Sequence, residues 1–445
     1  MHRLRRMLSF AAAVLTSVCA AQLALAQNKP STPPTTTTNW TGFYAGVDAG
    51  GDFNSTTFKR PLSGLSDTSI GTPDLKPAMS IYGGFNYQVL PWAVIGVEGG
   101  KTWLRSADYR ELGSSIDFLE RSKYIETIAA RAGILLKPDT MIYGKLGPAW
   151  INVEGFQGFG GTFEDTLTGI QAALGIETQL TPNVIVRAEG AYTRSDQVLS
   201  LNSDSARYRP TFLLFRLGAE YKFDAPAGWG AQAAGLYNSW PTPEAPAPRW
   251  TGFEVGGFAS LNGNHMTYFD TLGGDLGPYA HLSVGGGGFV GYNYEILQRF
   301  VLGLEASTNF DKANFYNAAG SGGLLGTFYQ FASTHRVYAV TARGGWLISP
   351  STLLYVKGGP AWVQMSTNFN YWNNIAPNTT GNKTLSGFQA GLGAETFVTP
   401  NISLRVEGLY TRVNGDVVLN GTINSREFYL QPSIMAATTG VALHF

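Results

Sequence analysis

In Val184-Ile185-Val186-Arg187-Ala188-Glu189-Gly190-Ala191-Tyr192 the even positions are Val, Val, Ala, Gly and Tyr, while the odd ones include Arg187 and Glu189. A period of two sends alternate side chains to opposite faces of a β-strand, so one face here is apolar and the other charged. The pattern returns downstream: Ile402, Leu404, Val406, Gly408 and Tyr410 lie on one side, and Ser403, Arg405 and Glu407 on the other. The two strands sit within a longer repeat. Thr168 to Arg194 matches Ser386 to Arg412 at sixteen of twenty-seven positions. Trp40-Thr41-Gly42-Phe43 recurs as Trp250-Thr251-Gly252-Phe253, Val94 to Glu98 as Val301 to Glu305, and Lys145 to Trp150 as Lys357 to Trp362, in the same order. Each copy is far too long for one solenoid or propeller repeat, which makes the repeat a duplicated domain.

Turn chemistry divides each copy into strands. Val89-Leu90-Pro91, Lys137-Pro138-Asp139-Thr140 and Thr181-Pro182-Asn183 are tight connections in the first copy, and longer Ser, Asn, Gly and Thr-rich stretches alternate with them. The spacing predicts strands near 41–51, 79–88, 93–104, 123–136, 141–153, 168–179 and 184–198, with a last one ending at Phe223. Eight strands with alternating short and long connections match a small transmembrane barrel. An even count also returns the chain to its starting side, so both ends of the segment between the copies are expected in the periplasm. That segment, Asp224 to Arg249, carries five prolines and reads as a semi-rigid linker.

The whole chain of 445 residues has 31 Lys plus Arg against 31 Asp plus Glu, with 14% charged residues, 44% apolar residues and 55 Gly. This balance argues against a nucleic-acid partner and against a disordered tail. Arg3, Arg5 and Arg6, the apolar run Met7 to Val18, and Ala24-Leu25-Ala26 read as a secretory signal peptide cleaved after Ala26. The sole cysteine, Cys19, leaves with that leader, so disulfides cannot stabilise the exported chain. A lipidated Cys19 is the alternative, for which Thr16-Ser17-Val18 is a poor lead-in.

With the apolar stripe facing lipid, the charged stripe faces the interior. The inward set in copy one is Glu98, Arg131, Lys145, Glu177, Arg187, Glu189, Arg216, Glu220 and Lys222; in copy two it is Glu305, Arg343, Lys357, Glu395, Arg405 and Glu407. An eight-stranded barrel is only wide enough for its own side chains. Unpaired ions there would each cost several kcal/mol, so these residues are expected to pair with one another and plug the lumen. The competing reading, a water-soluble β-barrel or sandwich, has the same periodicity turned inside out. Aromatic residues at strand ends favour lipid, since girdles of Trp and Tyr anchor a barrel at both interfaces; the set is Trp40, Trp92, Trp103, Trp150, Tyr192, Trp250, Trp346, Trp362 and Tyr410.

The opening Trp40-Thr41-Gly42-Phe43-Tyr44-Ala45-Gly46, the Gly-Pro-Ala-Trp strand, and the Thr-Pro-Asn turn followed by Arg-x-Glu-Gly-x-Tyr resemble the small outer-membrane immunogenic, porin-like proteins of alphaproteobacteria, within the OmpA-like eight-stranded group. The resemblance covers both copies. It implies residence in the outer membrane of a Gram-negative bacterium, contact with outer-membrane lipid, and recognition of the terminal Phe445 by the outer-membrane assembly machinery. Porin-like, surface-antigen and haem-binding roles are all described in such a family, and no motif here selects among them. The duplication departs from the family, as does the last strand, where Ala436, Thr438, Gly440, Ala442 and His444 replace the pattern of Arg216, Glu220 and Lys222.

Candidates for chemistry fail on spacing. His265, His281, His335 and His444 have no metal-ligand spacing, and the run Gly285 to Gly288 lacks the following Lys-Ser/Thr and helix of a phosphate loop. No enzyme activity and no cofactor are expected. The organisation expected is a signal peptide over 1–26, an arm over 27–39, barrels over 40–223 and 250–445, and a linker over 224–249. The all-β fold is then two tandem eight-stranded antiparallel barrels with a structural and surface role and at most slight permeability. The alternatives are one merged sixteen-stranded diffusion pore, or ligand binding and adhesion through the long segments Asp52 to Pro77, Arg105 to Arg121, Lys312 to Ala332 and Thr367 to Lys383.

Overall fold

The computed structural model describes residues 39–445, apart from 60–67, 71–74, 105–108, 112–117, 158–160, 202–203, 224–248, 271–274, 297–298, 319–327, 370–378, 416 and 424–425. The expected signal peptide with Ala26, nearly all of the expected arm and linker, and parts of the four long segments therefore lie outside the described residues.

Alternating sequence becomes a succession of antiparallel strands. In the first copy these are β1 (Gly42–Lys59), β2 (Thr68–Ile70), β3 (Lys76–Leu90), β4 (Ala93–Leu104), β5 (Tyr109–Glu111), β6 (Phe118–Lys137), β7 (Thr140–Gln157), β8 (Gly161–Gln179), β9 (Val184–Ser195), β10 (Gln197–Leu201) and β11 (Asp204–Lys222). The second copy has β12 (Gly252–Asp270), β13 (Asp275–Ile296), β14 (Phe300–Ala318), β15 (Phe328–Ser349), β16 (Thr352–Phe369), β17 (Thr379–Phe397), β18 (Ile402–Val413), β19 (Val417–Ile423) and β20 (Arg426–His444).

Ring closure separates the two competing architectures. β1 pairs with β3 on one side and with β11 on the other, from Tyr44 opposite Lys222 to Lys59 opposite Arg207. β12 pairs likewise with β13 and with β20, from Glu254 opposite His444 to Asp270 opposite Phe428. Each copy thus returns to its own first strand, which is what a merged sixteen-stranded ring would forbid. The eight long strands of copy one are β1, β3, β4, β6, β7, β8, β9 and β11, and those of copy two are β12 to β18 with β20.

Many strands outrun the roughly 9–11 residues that a tilted strand needs to cross hydrocarbon: β1 has 18 residues and β15 has 22. The expected loops at Asp52 to Pro77, Lys312 to Ala332 and Thr367 to Lys383 are accordingly shorter than the sequence suggested, because β1 runs to Lys59, β14 to Ala318 and β16 to Phe369.

The tight turns hold to the expected chemistry. The Thr181 hydroxyl accepts from the backbone N–H of Val184 at 3.0 Å, and Asn183 Nδ2 donates to the Lys222 carbonyl at 2.8 Å. Thr399 and Asn401 make the same pair of bonds to Ile402 and His444 at 3.0 and 3.1 Å. The Thr-Pro-Asn motif thus ties the turn after β8, or β17, to the closing strand. Two aromatics depart from the girdle expectation. Trp40 and Trp250 are buried, and their indole N–H groups donate to the carbonyls of Pro138 and Pro350 at 3.0 and 3.1 Å. They plug the turn end of each barrel, while Trp92, Trp103 and Trp362 remain exposed.

Candidate functional site: the buried ion layer of each lumen

Every charged residue of the expected inward set is buried. All but Lys222 gather in one layer across each barrel; Lys222, the last residue of β11, sits at the turn end, where its backbone bonds Asn183. Six of them and a tyrosine recur in both copies with the same bonds. Lys145 Nζ lies 2.6 Å from Glu98 and 2.8 Å from Glu189; Lys357 Nζ lies 2.8 Å from Glu305 and 2.7 Å from Glu407. Arg131 meets Glu177 at 2.8 Å and Arg343 meets Glu395 at 2.9 Å. Arg187 reaches Glu98 at 3.0 Å, and Arg405 reaches Glu305 at 2.7 Å. The hydroxyls of Tyr143 and Tyr355 donate to Glu189 and Glu407, both at 2.7 Å. The guanidinium of Arg187 stacks 3.3 Å from the Tyr82 ring centre, as Arg405 does 3.9 Å from Phe289. Stacking and pairing together offset the desolvation of these cations.

Outside the shared set the copies diverge. Copy one adds Asp48, 2.8 Å from Arg187, and Arg216, which bonds Glu189 and donates to Ser80 and Thr102 at 2.8 Å each. Copy two has Thr438 at the place of Arg216 and brings in Glu254, 3.3 Å from Arg343 and 3.2 Å from Arg405. It also builds a neutral ladder. Ser260 donates to Asn309 at 3.0 Å, Asn309 to Asn262 at 2.9 Å, Asn264 to Ser283 at 3.1 Å, and Thr334 to Asn264 at 3.1 Å. Ser283 in turn bonds Asp311.

Mutual pairing fails at one expected member. Both carboxylate oxygens of buried Glu220 lack a hydrogen-bond partner. Its neighbours Arg131 and Arg187 direct their donors to Glu177, Glu98 and Asp48 instead. Asp48, Glu254 and the tyrosines were absent from the expected set, although parity on β1 and β12 puts Asp48 and Glu254 on the inward side.

Apolar layers close the ion layer on both sides. In copy one Trp40, Val94, Leu135, Met141, Tyr143 and Ile185 lie at the turn end, and Leu104, Ile125, Ile151, Val153, Leu167, Phe212 and Leu214 toward the loop end. In copy two Trp250, Val301, Leu347, Leu353, Tyr355 and Phe397 face Met266, Phe315, Phe331, Met365 and Leu430 in the same manner.

Among the described residues, one trio has the donor types of a metal site. Glu254, Glu395 and His444 present ligand atoms within 4.8 Å of one another. Arg343 and Arg405 already neutralise both carboxylates at 2.9 to 3.3 Å, so a divalent cation would have to enter against two fixed positive charges. His444 Nε2 instead contacts Ser403 and Glu395 at 2.9 and 3.1 Å.

The fold defines a pair of transmembrane β-barrels, each lined inside by paired ions between apolar clusters. The chain belongs to the family of outer membrane protein beta-barrel domains, which it matches twice, over residues 10–223 and 231–445. It is 28% identical over 232 residues to the 31 kDa outer-membrane immunogenic protein of Brucella melitensis biotype 1, covering 48% of this chain and 92% of that one. It is 30% identical over 171 residues to the 22 kDa outer membrane protein of Rhizobium leguminosarum bv. viciae, covering 38% of this chain and 67% of the relative. Among solved structures, the attachment invasion locus protein Ail of Yersinia pestis is similar at 16% identity and a TM-score of 0.25, over 41% of this chain and 99% of Ail. The protein resides in the outer membrane of a Gram-negative bacterium, in contact with its lipid.

Proposed function

We propose that this chain is a non-enzymatic structural and surface protein of the outer membrane, with two sealed lumens, at most slight passive permeability, and Phe445 as the residue read by the assembly machinery. The sealing of each ion layer between two apolar layers carries the reading. A solute path would have to displace the Trp40 or Trp250 plug at one end and the layer around Ile151 or Phe315 at the other. The ions between them hold one another, which suits an interior that fixes barrel shape better than one that conducts. The exposed side chain of Phe445 fits recognition by another protein, while its N–H is tied to the Phe253 carbonyl at 2.9 Å.

Planar-bilayer recording on the full chain tests the sealing. A quiet membrane is expected; nanosiemens steps in proportion to inserted protein would overturn it. Phe445→Ala tests the terminal residue: assembled, heat-modifiable protein in the outer membrane should fall several-fold, and an unchanged yield would remove Phe445 as the signal.

A further inference from the structure

Outward residues of a lone barrel should all be exposed to lipid, and on one side of each copy they are not. In copy one Val97, Ile128 and Leu146 are 57%, 58% and 56% exposed, whereas the outward Ile176, Leu213 and Phe215 are 2%, 1% and 3% exposed. These last three cluster with outward residues of copy two, Ala280, Ala394, Val406 and Met435. Residues 38–445 form one compact unit.

The contacts obey a two-fold rule. Strand register makes Gly190 the counterpart of Gly408, because each follows the inward glutamate, Glu189 or Glu407, that pairs with Arg216 or Thr438. The same register makes Phe215 the counterpart of Ala437. A Cβ placed on Gly190 would lie 3.6 Å from the Ala437 Cβ, and one placed on Gly408 would fall on Phe215. So Gly190 meets Ala437 just as Gly408 meets Phe215. Near the axis Phe53 covers Gly263, its own counterpart along β1 and β12. His265, outward on β12, stacks on Phe53 with ring centres 4.3 Å apart, and its Nε2 lies 3.3 Å from the Asn54 carbonyl. Ser55, the counterpart of His265, donates to the Ala280 carbonyl at 3.5 Å.

We infer that the two barrels are held side by side in the membrane as an internal pseudo-two-fold pair, each copy being the partner that the other's face is built to receive. Lipid tails are as apolar as these side chains, so no hydrophobic force drives such an association, and close packing against small residues must do it. Gly190, Gly263, Gly408, Ala394 and Ala437 supply the notches and Phe53 and Phe215 the knobs. Self-complementary faces are the signature of an isologous dimer, here encoded within one chain. An outward-facing His265 finds a polar partner only because the other barrel is there.

Apart from Cys19 the chain has no cysteine, which makes cross-linking clean. The 3.6 Å Cβ separation suits a disulfide. The full chain carrying Gly190→Cys and Ala437→Cys, with a protease site inserted between 224 and 248, is oxidised in outer membranes and then cut. The expected result is one unreduced band that splits into two halves on reduction, and loss of that bond when Gly408→Trp is added as a wedge. Two halves without reductant, or cross-links between separate chains only, would overturn the pairing. Heat modifiability before oxidation reports folding. If this variant does not fold, Phe215→Cys with Gly408→Cys probes the symmetry-related contact under the same criteria. Leu146→Cys with Leu304→Cys, both on exposed faces, should give no bond within the chain.

Discussion

The two lumens descend from one repeat, yet they solve the same electrostatic problem differently. Both keep the core of Glu98, Arg131, Lys145, Glu177, Arg187, Glu189 and Tyr143 or its counterparts with nearly the same distances. Around it copy one adds charge, through Asp48, Arg216 and Glu220, and leaves Glu220 without a hydrogen bond. Copy two removes the arginine, adds Glu254 beside its two remaining arginines, and continues the layer with neutral Ser, Asn and Thr. The shared core is therefore the part that recurs bond for bond, and the surround is the part that differs.

Breaking the shared core should have the largest effect, and an equal one in both copies. Arg187→Met leaves Glu98 and Asp48 short of a buried partner, and Arg405→Met does the same to Glu254 and Glu305. Each is expected to lower stability by about 3–5 kcal/mol, read as a fall in the urea midpoint for loss of heat modifiability. A negligible change in either copy would deny that the core carries shape. Tyr143→Phe and Tyr355→Phe should each cost about 1.5–3 kcal/mol, the range for a hydrogen bond to a charged group; a difference well outside error between them would break the equivalence of the copies. Arg216→Thr, which gives copy one the residue of copy two, should cost only about 1–2 kcal/mol. Ser80 and Thr102 still bond each other at 3.0 Å, and Glu189 keeps Lys145 and Tyr143. A loss as large as that of Arg187→Met would place Arg216 within the core after all. Asn262→Ala, in the neutral ladder, should be smallest at about 1 kcal/mol, with no effect on the copy-one transition.

Much of this was legible in the chain itself. Strict alternation in β9 and β18 gave the strands, the offset repeat gave two copies, and parity gave every charged member of the shared core. Three features were hidden for physical reasons. Inward apolar residues such as Ile151 and Val153 cannot be told from lipid-facing ones by hydropathy, which concealed the sealing layers. Trp40 and Trp250 have the composition of girdle residues, and what fixes them inside, the carbonyls of Pro138 and Pro350 and the apolar clusters round the rings, comes from distant strands and turns. Asp48 and Glu254 sit on first strands rich in glycine and aromatics, where the charged face is short.

The most direct test of the account is photolabelling of the full chain in bilayers with a carbene precursor confined to the hydrocarbon, followed by residue-level mapping. Label is expected on Val97, Ile128, Leu146, Leu304 and Val340, with Arg187, Glu189, Arg405 and Glu407 bare. Label on those four charged residues, with the apolar set spared, would contradict it.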